Sequence, residues 1–203
     1  MKKALLIAVL FAGTLSAQEY PMFTINTFSG VDFGRVGFAS DQGIMTQRVN
    51  SNVVGFGTSL NPYKGFKLDL SLLQRSILGP FMLDASDDLY VVNITQVDIV
   101  PTAQFAIENG GMFNFGAGVS GSLLNQVSQI TRYGNFDLLA EEKINPIGFG
   151  GVLSLGYVQR ISTNVNGFIS YKYSTLLSNP ELDSGQEVII TNNSIYAGVQ
   201  VVF

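Results

Sequence analysis

Apolar residues occupy every second position over many short stretches of this chain, and that pattern restricts the fold more than any other feature. In FKLDLSLL (66–73), for example, bulky apolar residues alternate with charged or small ones. A period of two is the repeat of a β-strand, whose successive side chains point to opposite faces. The sequence therefore predicts an all-β structure.

Eight segments can form such strands, and the connections between them alternate in length. Three connections are short turns rich in Pro, Gly and Asn: NPYKG (61–65), ENGG (108–111) and ISTNV (161–165). The other four are longer and cover 39–51, 77–89, 125–146 and 177–191. The predicted strands are 23–38, 52–60, 66–76, 90–107, 112–124, 147–160, 166–176 and 192–203.

Short turns at one end and long loops at the other are typical of transmembrane barrels, in which the short turns are periplasmic. We therefore expect an eight-stranded antiparallel up-and-down transmembrane β-barrel with short periplasmic turns and long extracellular loops. Eight strands enclose only enough room for side chains, so the polar, Gly-rich face should point inward and the apolar face toward lipid. Aromatic residues beside the short turns should form a periplasmic girdle: Phe66, Phe105, Phe113, Tyr157 and Phe203.

The charged residues of the inward face are candidate site residues. An unpaired charge in so narrow a lumen would be costly, so we expect these side chains to pair with one another as a structural plug. An ion or proton path is the alternative interpretation. The predicted lumen charge network consists of Lys67, Asp69, Arg75, Asp98, Arg160 and Lys172.

Two places depart from regular alternation. The first strand slips phase between Gly30 and Gly37, which predicts a bulge or a strong bend there. Pro101 cannot donate a hydrogen bond to a strand neighbour, so the fourth strand should be locally irregular.

The first residues have the pattern of a secretory signal. Lys2 and Lys3 precede an apolar run from residue 4 to residue 15, and Ser16-Ala17-Gln18 offers a cleavage site. The run is shorter than the roughly 20 residues of a spanning helix. Residues 1–17 are thus predicted to be a signal peptide and 18–203 the outer-membrane barrel domain, with a retained anchor as the alternative.

The composition argues against several classes of function. Without Lys2 and Lys3, the 11 basic residues fall to 9 against 15 acidic ones, which disfavours nucleic acid as a partner. His is absent, which removes the commonest general base, so we expect no enzymatic activity. GAGVSG (116–121) has the glycine spacing of a dinucleotide loop, but it lies within a predicted strand that no helix follows. We expect no cofactor.

Acidic residues dominate the four long connections, which hold ten acids against Arg48, Arg132 and Lys143. The spacing of these acids matches no calcium loop, so we interpret them as a solvated negative rim, with metal binding as an alternative. The clustered acids are Asp84, Asp87 and Asp88, and then Asp137, Glu141 and Glu142.

Several segments together resemble the PorT-like outer-membrane β-barrel family, relatives of the OmpA-type eight-stranded barrels. The resemblance spans nearly all of 28–203 and implies the same architecture, in which a Pro is frequent in the fourth strand. Some members are associated with type 9 protein secretion, and no catalytic or ligand motif of the family can be transferred. The matching segments are FSGVDFG (28–34), GFGTSLNPYKGFKLDLSLLQRS (55–76), VDIVPTAQFAI (97–107), FNFGAGVSGSLL (113–124), GFGGVLSLGYVQRIS (148–162) and YAGVQVVF (196–203).

The last predicted strand ends on an aromatic residue, which resembles the signal read by the barrel-insertion machinery. The residues of this predicted insertion signal are Tyr196, Val199, Val201 and Phe203. The expected partners are thus outer-membrane lipid, the insertion machinery during biogenesis, and an envelope protein complex.

Three functional hypotheses follow from the sequence. The first is a non-catalytic outer-membrane barrel that anchors four acidic loops and docks with a secretion or envelope complex. The second is a barrel that handles a small solute or a lipid. The third is a soluble exported barrel with a ligand in its core, which would require inward-facing aromatic residues and is opposed by the alternation.

Overall fold

A computed structural model describes residues 23–40, 43–79, 89–108, 110–131, 134–137, 146–179 and 187–203. Across these ranges, no helix is long and apolar enough to cross a membrane. The predicted signal peptide 1–17 lies outside them. The strands are β1 (Phe23–Ser40), β2 (Gly43–Tyr63), β3 (Phe66–Gly79), β4 (Leu89–Ala106), β5 (Gly111–Thr131), β6 (Gly134–Asp137), β7 (Ile147–Arg160), β8 (Val165–Ser178) and β9 (Glu187–Val202).

The strands form one closed sheet. The order of neighbours is β4-β3-β2-β1-β9-β8-β7-β5, and pairing between β4 and β5 closes the circle. All pairs are antiparallel. The short strand β6 pairs only with the far end of β5, from Ser128 to Thr131. The predicted eight-stranded antiparallel barrel is therefore confirmed, with β6 as an addition to it.

The three short turns lie at one end of this barrel. Tyr63 pairs with Phe66 across a two-residue turn in which Gly65 has a φ of 80°, a left-handed conformation that favours glycine. The second turn is closed by the Gly110 amide, which donates to the carbonyl of Ile107. The Phe203 amide donates to the Phe23 carbonyl at the same end, so both terminal strands of the sheet meet there.

The connections at the other end are shorter than predicted. The predicted loop 39–51 is wrong, because β1 continues to Ser40, which pairs with Gly43 at the start of β2. The other three predicted loops also lose residues to strands, and most of what remains of them (80–88, 132–133, 138–145 and 180–186) lies outside the described residues. The added strand residues lack the apolar alternation that would identify them from the sequence.

The predicted bulge in the first strand is also wrong. β1 pairs with β2 from Phe23 to Ser40 without a shift in register, and its pairing with β9 is equally regular. The alternation changes phase at Gly30 because Phe28 before it faces the lumen, whereas Val31 and Phe33 after it face outward. Register shifts occur instead between β2 and β3, between β4 and β5, and between β7 and β8.

Pro101 lies on the outer face of β4 and causes only a local irregularity. It pairs with Leu68 of β3. On the other side of β4, Ile99 pairs with Val119 and Thr102 with Gly116, so the register to β5 is the same before and after the proline. Gly118 lies opposite, where a Cβ would come within 2.0 Å of the Ile99 carbonyl oxygen. The absence of a side chain at Gly118 allows β4 and β5 to approach this closely.

The outer surface is a belt of large apolar side chains. On β1 this belt runs from Ile25 to Phe33, and Arg35 is the next outward residue. On β9 it runs from Phe203 to Ile195 and is followed by Asn193. About 9–11 tilted residues suffice to cross a bilayer. Typical members of the belt, each 46 to 61% exposed, are Phe56, Phe115, Val119, Phe149, Leu153, Leu155, Ile169 and Val199.

Candidate functional site

The middle of the barrel lumen contains a network of buried charged and polar side chains. The alternation along β1, β3, β4, β8 and β9 turns these side chains inward, and no more than 8% of any of them is exposed. The central members are Asp32, Arg75, Gln96, Asp98, Lys172 and Ser194.

Arg75 of β3 is the centre of one half of this network. It connects β3 to β1 and β9, two neighbouring strands whose line of pairing we call the seam. Its Nε atom lies 2.6 Å from Oδ2 of Asp32, and its Nη2 atom donates to Ser194 Oγ at 3.1 Å. Ser194 Oγ donates in turn to Asp32 Oδ1 at 3.0 Å. The Arg75 Nη1 group also donates to Gln96 Oε1. The guanidinium thus binds groups from three other strands.

Lys172 of β8 completes the other half. Its Nζ atom donates to Asp98 Oδ2 at 2.8 Å and to Ser71 Oγ at 2.6 Å. Gln96 Nε2 donates to Asp98 Oδ1 at 2.6 Å and so connects the two halves. The network contains two cations and two carboxylates and is neutral as a whole. A buried pair is tolerated when both its charge and its hydrogen bonds are satisfied, and the Lys172–Asp98 pair meets both conditions.

A second ion pair lies closer to the short turns. Lys67 Nζ is 2.9 Å from Asp69 Oδ2. The Asp69 carboxylate also accepts hydrogen bonds from Ser59 Oγ at 2.5 Å and Thr102 Oγ1 at 3.0 Å. Neighbouring strands β2 and β4 therefore hold this carboxylate in place, and the pair adds no net charge to the lumen.

Aromatic side chains also point inward: the alternation predicts this for Tyr196, but not for Phe28 or Phe168. The rings of Phe28 and Tyr196 stack with centroids 4.8 Å apart, and Phe168 meets Phe28 edge-on at 6.3 Å. Val53 and Leu73 pack into the same cluster. Lys172 Nζ lies 5.8 Å from the centroid of the Tyr196 ring, so the apolar cluster directly adjoins the ion network.

A small cavity remains between the ion network and the short turns. It has a volume of about 70 Å³ and is lined by Asn26, Lys67, Asn114, Phe168 and Gln200 among others. A water molecule occupies roughly 30 Å³ of liquid, whereas sites for drug-sized ligands measure about 300–1,000 Å³. The cavity therefore suits a few water molecules.

Five of the six residues of the predicted lumen charge network line the lumen. Lys67, Asp69, Arg75, Asp98 and Lys172 all take part in the ion pairs described above. Arg160 does not join them, because it is exposed at the end of β7 and its Nε atom donates to the Ser162 carbonyl at 3.2 Å. The predicted network did not include Asp32. Odd-numbered residues from Ile25 to Phe33 face outward, so the even-numbered Asp32 faces the lumen. The predicted slip in β1 hid this regular alternation.

The residues of the predicted insertion signal do not share one face. Val199, Val201 and Phe203 point outward, whereas Tyr196 lies in the lumen with 3% of its surface exposed. The Phe203 ring lies 6.0 Å from that of Phe23, and Phe113 and Tyr157 are 5.3 Å apart. Aromatic residues therefore do cluster on the outside near the short turns.

The structure describes the other sequence motifs only in part. GAGVSG (116–121) lies within β5, where Gly116 and Gly118 make room for neighbouring strands. Within the described ranges, no group of three acidic side chains is arranged to hold a metal ion. Asp137 lies in β6, while Asp84, Asp87, Asp88, Glu141 and Glu142 fall outside the described residues.

The fold is that of the outer-membrane β-barrels. Neisserial surface protein A matches with a TM-score of 0.55 and 13% identity, over 92% of this chain and all of the neisserial one. The outer membrane protein OprG of Pseudomonas aeruginosa matches with a TM-score of 0.59 and 10% identity, over 93% of this chain and 99% of OprG. No family model matches the sequence, and no curated protein matches it.

Proposed function

We propose that this protein is a non-catalytic integral outer-membrane barrel that serves as a sealed anchor for surface structures. The observation that carries the proposal is the neutral ion network, which fills the middle of the lumen with buried side chains. A barrel filled in this way can interact with other molecules only through its outer wall and the connections at the far end.

The apolar belt supports a location in a lipid bilayer. A soluble barrel would bury its large apolar side chains, whereas residues such as Phe149 and Val119 are about 60% exposed here. Polar groups replace the apolar ones beyond Phe33 on β1 and beyond Ile195 on β9. Export by residues 1–17 and placement in the outer membrane form part of this proposal.

The strand extensions support a docking role in the cell envelope. The hairpin of β1 and β2 continues past the apolar belt as far as Ser40 and Gly43, and β5 with β6 forms a second extension. Paired strands present a defined surface to a partner. A complex engaged in protein secretion, of the type 9 kind, is one candidate partner that the family resemblance suggests.

A barrel that handles a small solute is the alternative function. The lumen cavity favours it, but about 70 Å³ is far below the size of ordinary ligand sites. Transport would also require the Arg75 and Lys172 ion pairs to open. We therefore place this alternative second.

Gel mobility tests the membrane barrel itself. The purified protein should migrate differently before and after boiling, and it should require detergent for extraction. Equal mobility together with recovery in the soluble fraction would contradict the proposed location.

Affinity purification from native membranes in mild detergent tests the docking role. Partners should co-purify with the wild type and be lost when 138–145 is replaced by a Gly/Ser segment of the same length. A K64Q variant at the short-turn end is the control and should retain the partners. Recovery of the barrel without partner proteins would rule out the docking role.

A further inference from the structure

Two arginines lie side by side on the outer wall, just beyond the apolar belt. Arg35 of β1 pairs directly with Arg48 of β2, and both side chains are exposed. Directly opposite residues in an antiparallel pair have Cβ atoms about 4.5–5.5 Å apart, and like charges in such positions repel. The predicted loop 39–51 had placed Arg48 in a surface loop, whereas β2 fixes it against Arg35.

No acidic side chain within the described residues offsets this charge. None of the ion pairs there involves either arginine. The nearest described acid along β9 is Glu187, four positions beyond Thr191, which is the β9 partner of Arg35. Glu187 accepts a hydrogen bond from Asn179 instead. Two fixed positive charges therefore face the same space.

That space is a groove of about 820 Å³, which we call the outer groove. It crosses β8, β9, β1 and β2, and its lining includes Phe33, Arg35, Arg48, Asn50, Tyr173 and Asn193. Asn193 is held in place, since it accepts from Tyr171 Oη at 2.6 Å and donates to the Phe33 carbonyl at 3.3 Å. The groove thus combines basic, amide and aromatic groups.

The position of the outer groove indicates its ligand. Phe33 is the last residue of the apolar belt on β1 and Arg35 the next outward residue, so the groove lies at the level of lipid headgroups if the barrel spans the membrane as proposed above. Arginine binds phosphate through paired hydrogen bonds, and two guanidinium groups can share one phosphate. We propose that the outer groove binds the phosphate of an anionic lipid in the outer leaflet, with the acyl chains along the apolar belt.

The test compares lipid retention in bilayer discs of phosphatidylcholine. The discs contain a small fraction of diphosphoryl lipid A, or the same lipid with its phosphates removed. Native mass spectrometry should show that the wild type retains the phosphorylated lipid about tenfold better than the dephosphorylated one. The R35Q/R48Q variant should lose this preference.

A charge-matched control separates the groove from general electrostatics. The K64Q/R160Q variant also loses two positive charges, but at the short-turn end, and it should retain the lipid as the wild type does. Equal losses in both variants, or full retention by R35Q/R48Q, would overturn the proposal. Binding of inorganic phosphate by a wild type that retains no lipid would also overturn it, since the ligand would then be a free anion.

Gel mobility before and after boiling checks that each variant is folded. If the wild type fails to enter the discs, the membrane location itself is wrong. If it enters them and shows no preference for phosphorylated lipid, only the outer groove assignment fails.

Discussion

Lys172 carries a positive charge in the middle of the barrel, far from bulk water. Its partners are Asp98 and Ser71, and Gln96 holds the other oxygen of the same carboxylate. Removing one member of a buried pair leaves the other charged and unsatisfied, which costs more than the pair itself contributes. The two partners are therefore interdependent.

Replacing Lys172 with methionine should destabilise the barrel by about 3–5 kcal/mol, because Asp98 remains buried without its cation. The D98N/K172M double variant should recover most of that loss. Urea unfolding in detergent measures both effects. Arg160→Met removes an exposed cation from β7 and should change the midpoint little. A double variant as unstable as K172M alone would contradict the pairing.

On the outer wall, the cost of a charge should depend on its depth in the membrane. Leu70→Arg places a charge near the middle of the belt and should destabilise the barrel by about 2–4 kcal/mol. Gln74→Arg lies on the same strand beyond the belt and should cost only about 0–1 kcal/mol. Unfolding from lipid vesicles gives both values. Equal costs at the two positions would mean that the belt does not face lipid.

Among the strands, β4 and β5 depend on a close backbone approach at Gly118. A Cβ there would also come within 2.8 Å of the Val100 Cα atom. The backbones of β4 and β5 would have to move apart to make room for it, which would break the pairing near Pro101. At Gly151 of β7 the nearest atom to an added Cβ is 4.0 Å away. These two glycines thus occupy very different surroundings within the same sheet.

Gly118→Ala should accordingly cost about 1–3 kcal/mol or more, since it overpacks a tight contact. Gly151→Ala should be tolerated. The folded fraction after refolding into detergent, read from gel mobility, distinguishes them. Comparable yields for the two variants would indicate that β4 and β5 lie further apart than described.

The strands were predictable to the extent that each has an apolar outer face. The alternation identified all eight strands of the barrel, since outward residues such as Leu68 and Leu70 are large and apolar. It failed beyond the belt, where β1 and β2 are solvated outside and the apolar signal disappears. It also failed at Phe28, since an apolar side chain in the lumen carries the wrong polarity for its face.

The lumen charges, too, could be predicted from the sequence only in part. Lys67, Asp69 and Lys172 could be placed inward from their strands alone. Which residues bond to each other could not be predicted, because Arg75 and Asp32 come from β3 and β1 and meet only across the lumen. Arg160 follows the same alternation, but it lies at the barrel end, where a side chain can reach water.

For the whole molecule, the pairing of β1 with β9 joins the two ends of the sheet. This seam joins the first and last strands of the sheet, and Asp32 on one side accepts a hydrogen bond from Ser194 on the other. Arg75 of β3 also donates to Ser194 across this seam. The hydrogen bonds that join Ser194 to Asp32 and Arg75 can therefore form only when β9 lies beside β1.

A cysteine pair can report this closure, because the chain has no cysteine of its own. Ser29 pairs directly with Ala197, and partner Cα atoms about 4.5–5.5 Å apart suit a disulfide. S29C/A197C should oxidise in the folded protein, whereas S29C/V201C, displaced by four positions, should keep free thiols. Thiol titration measures both. Oxidation of neither variant, or of both equally, would contradict the register.

The hairpin of β1 and β2 has a mechanical consequence. From Phe33 to Ser40 it continues about seven residues beyond the apolar belt, or about 23 Å along the strand. Asp32 immediately precedes Phe33 on the same strand and forms an ion pair with Arg75. A force applied to the tip of this ribbon would therefore act on the Arg75–Asp32 ion pair, because Asp32 lies on the same strand directly below the extension.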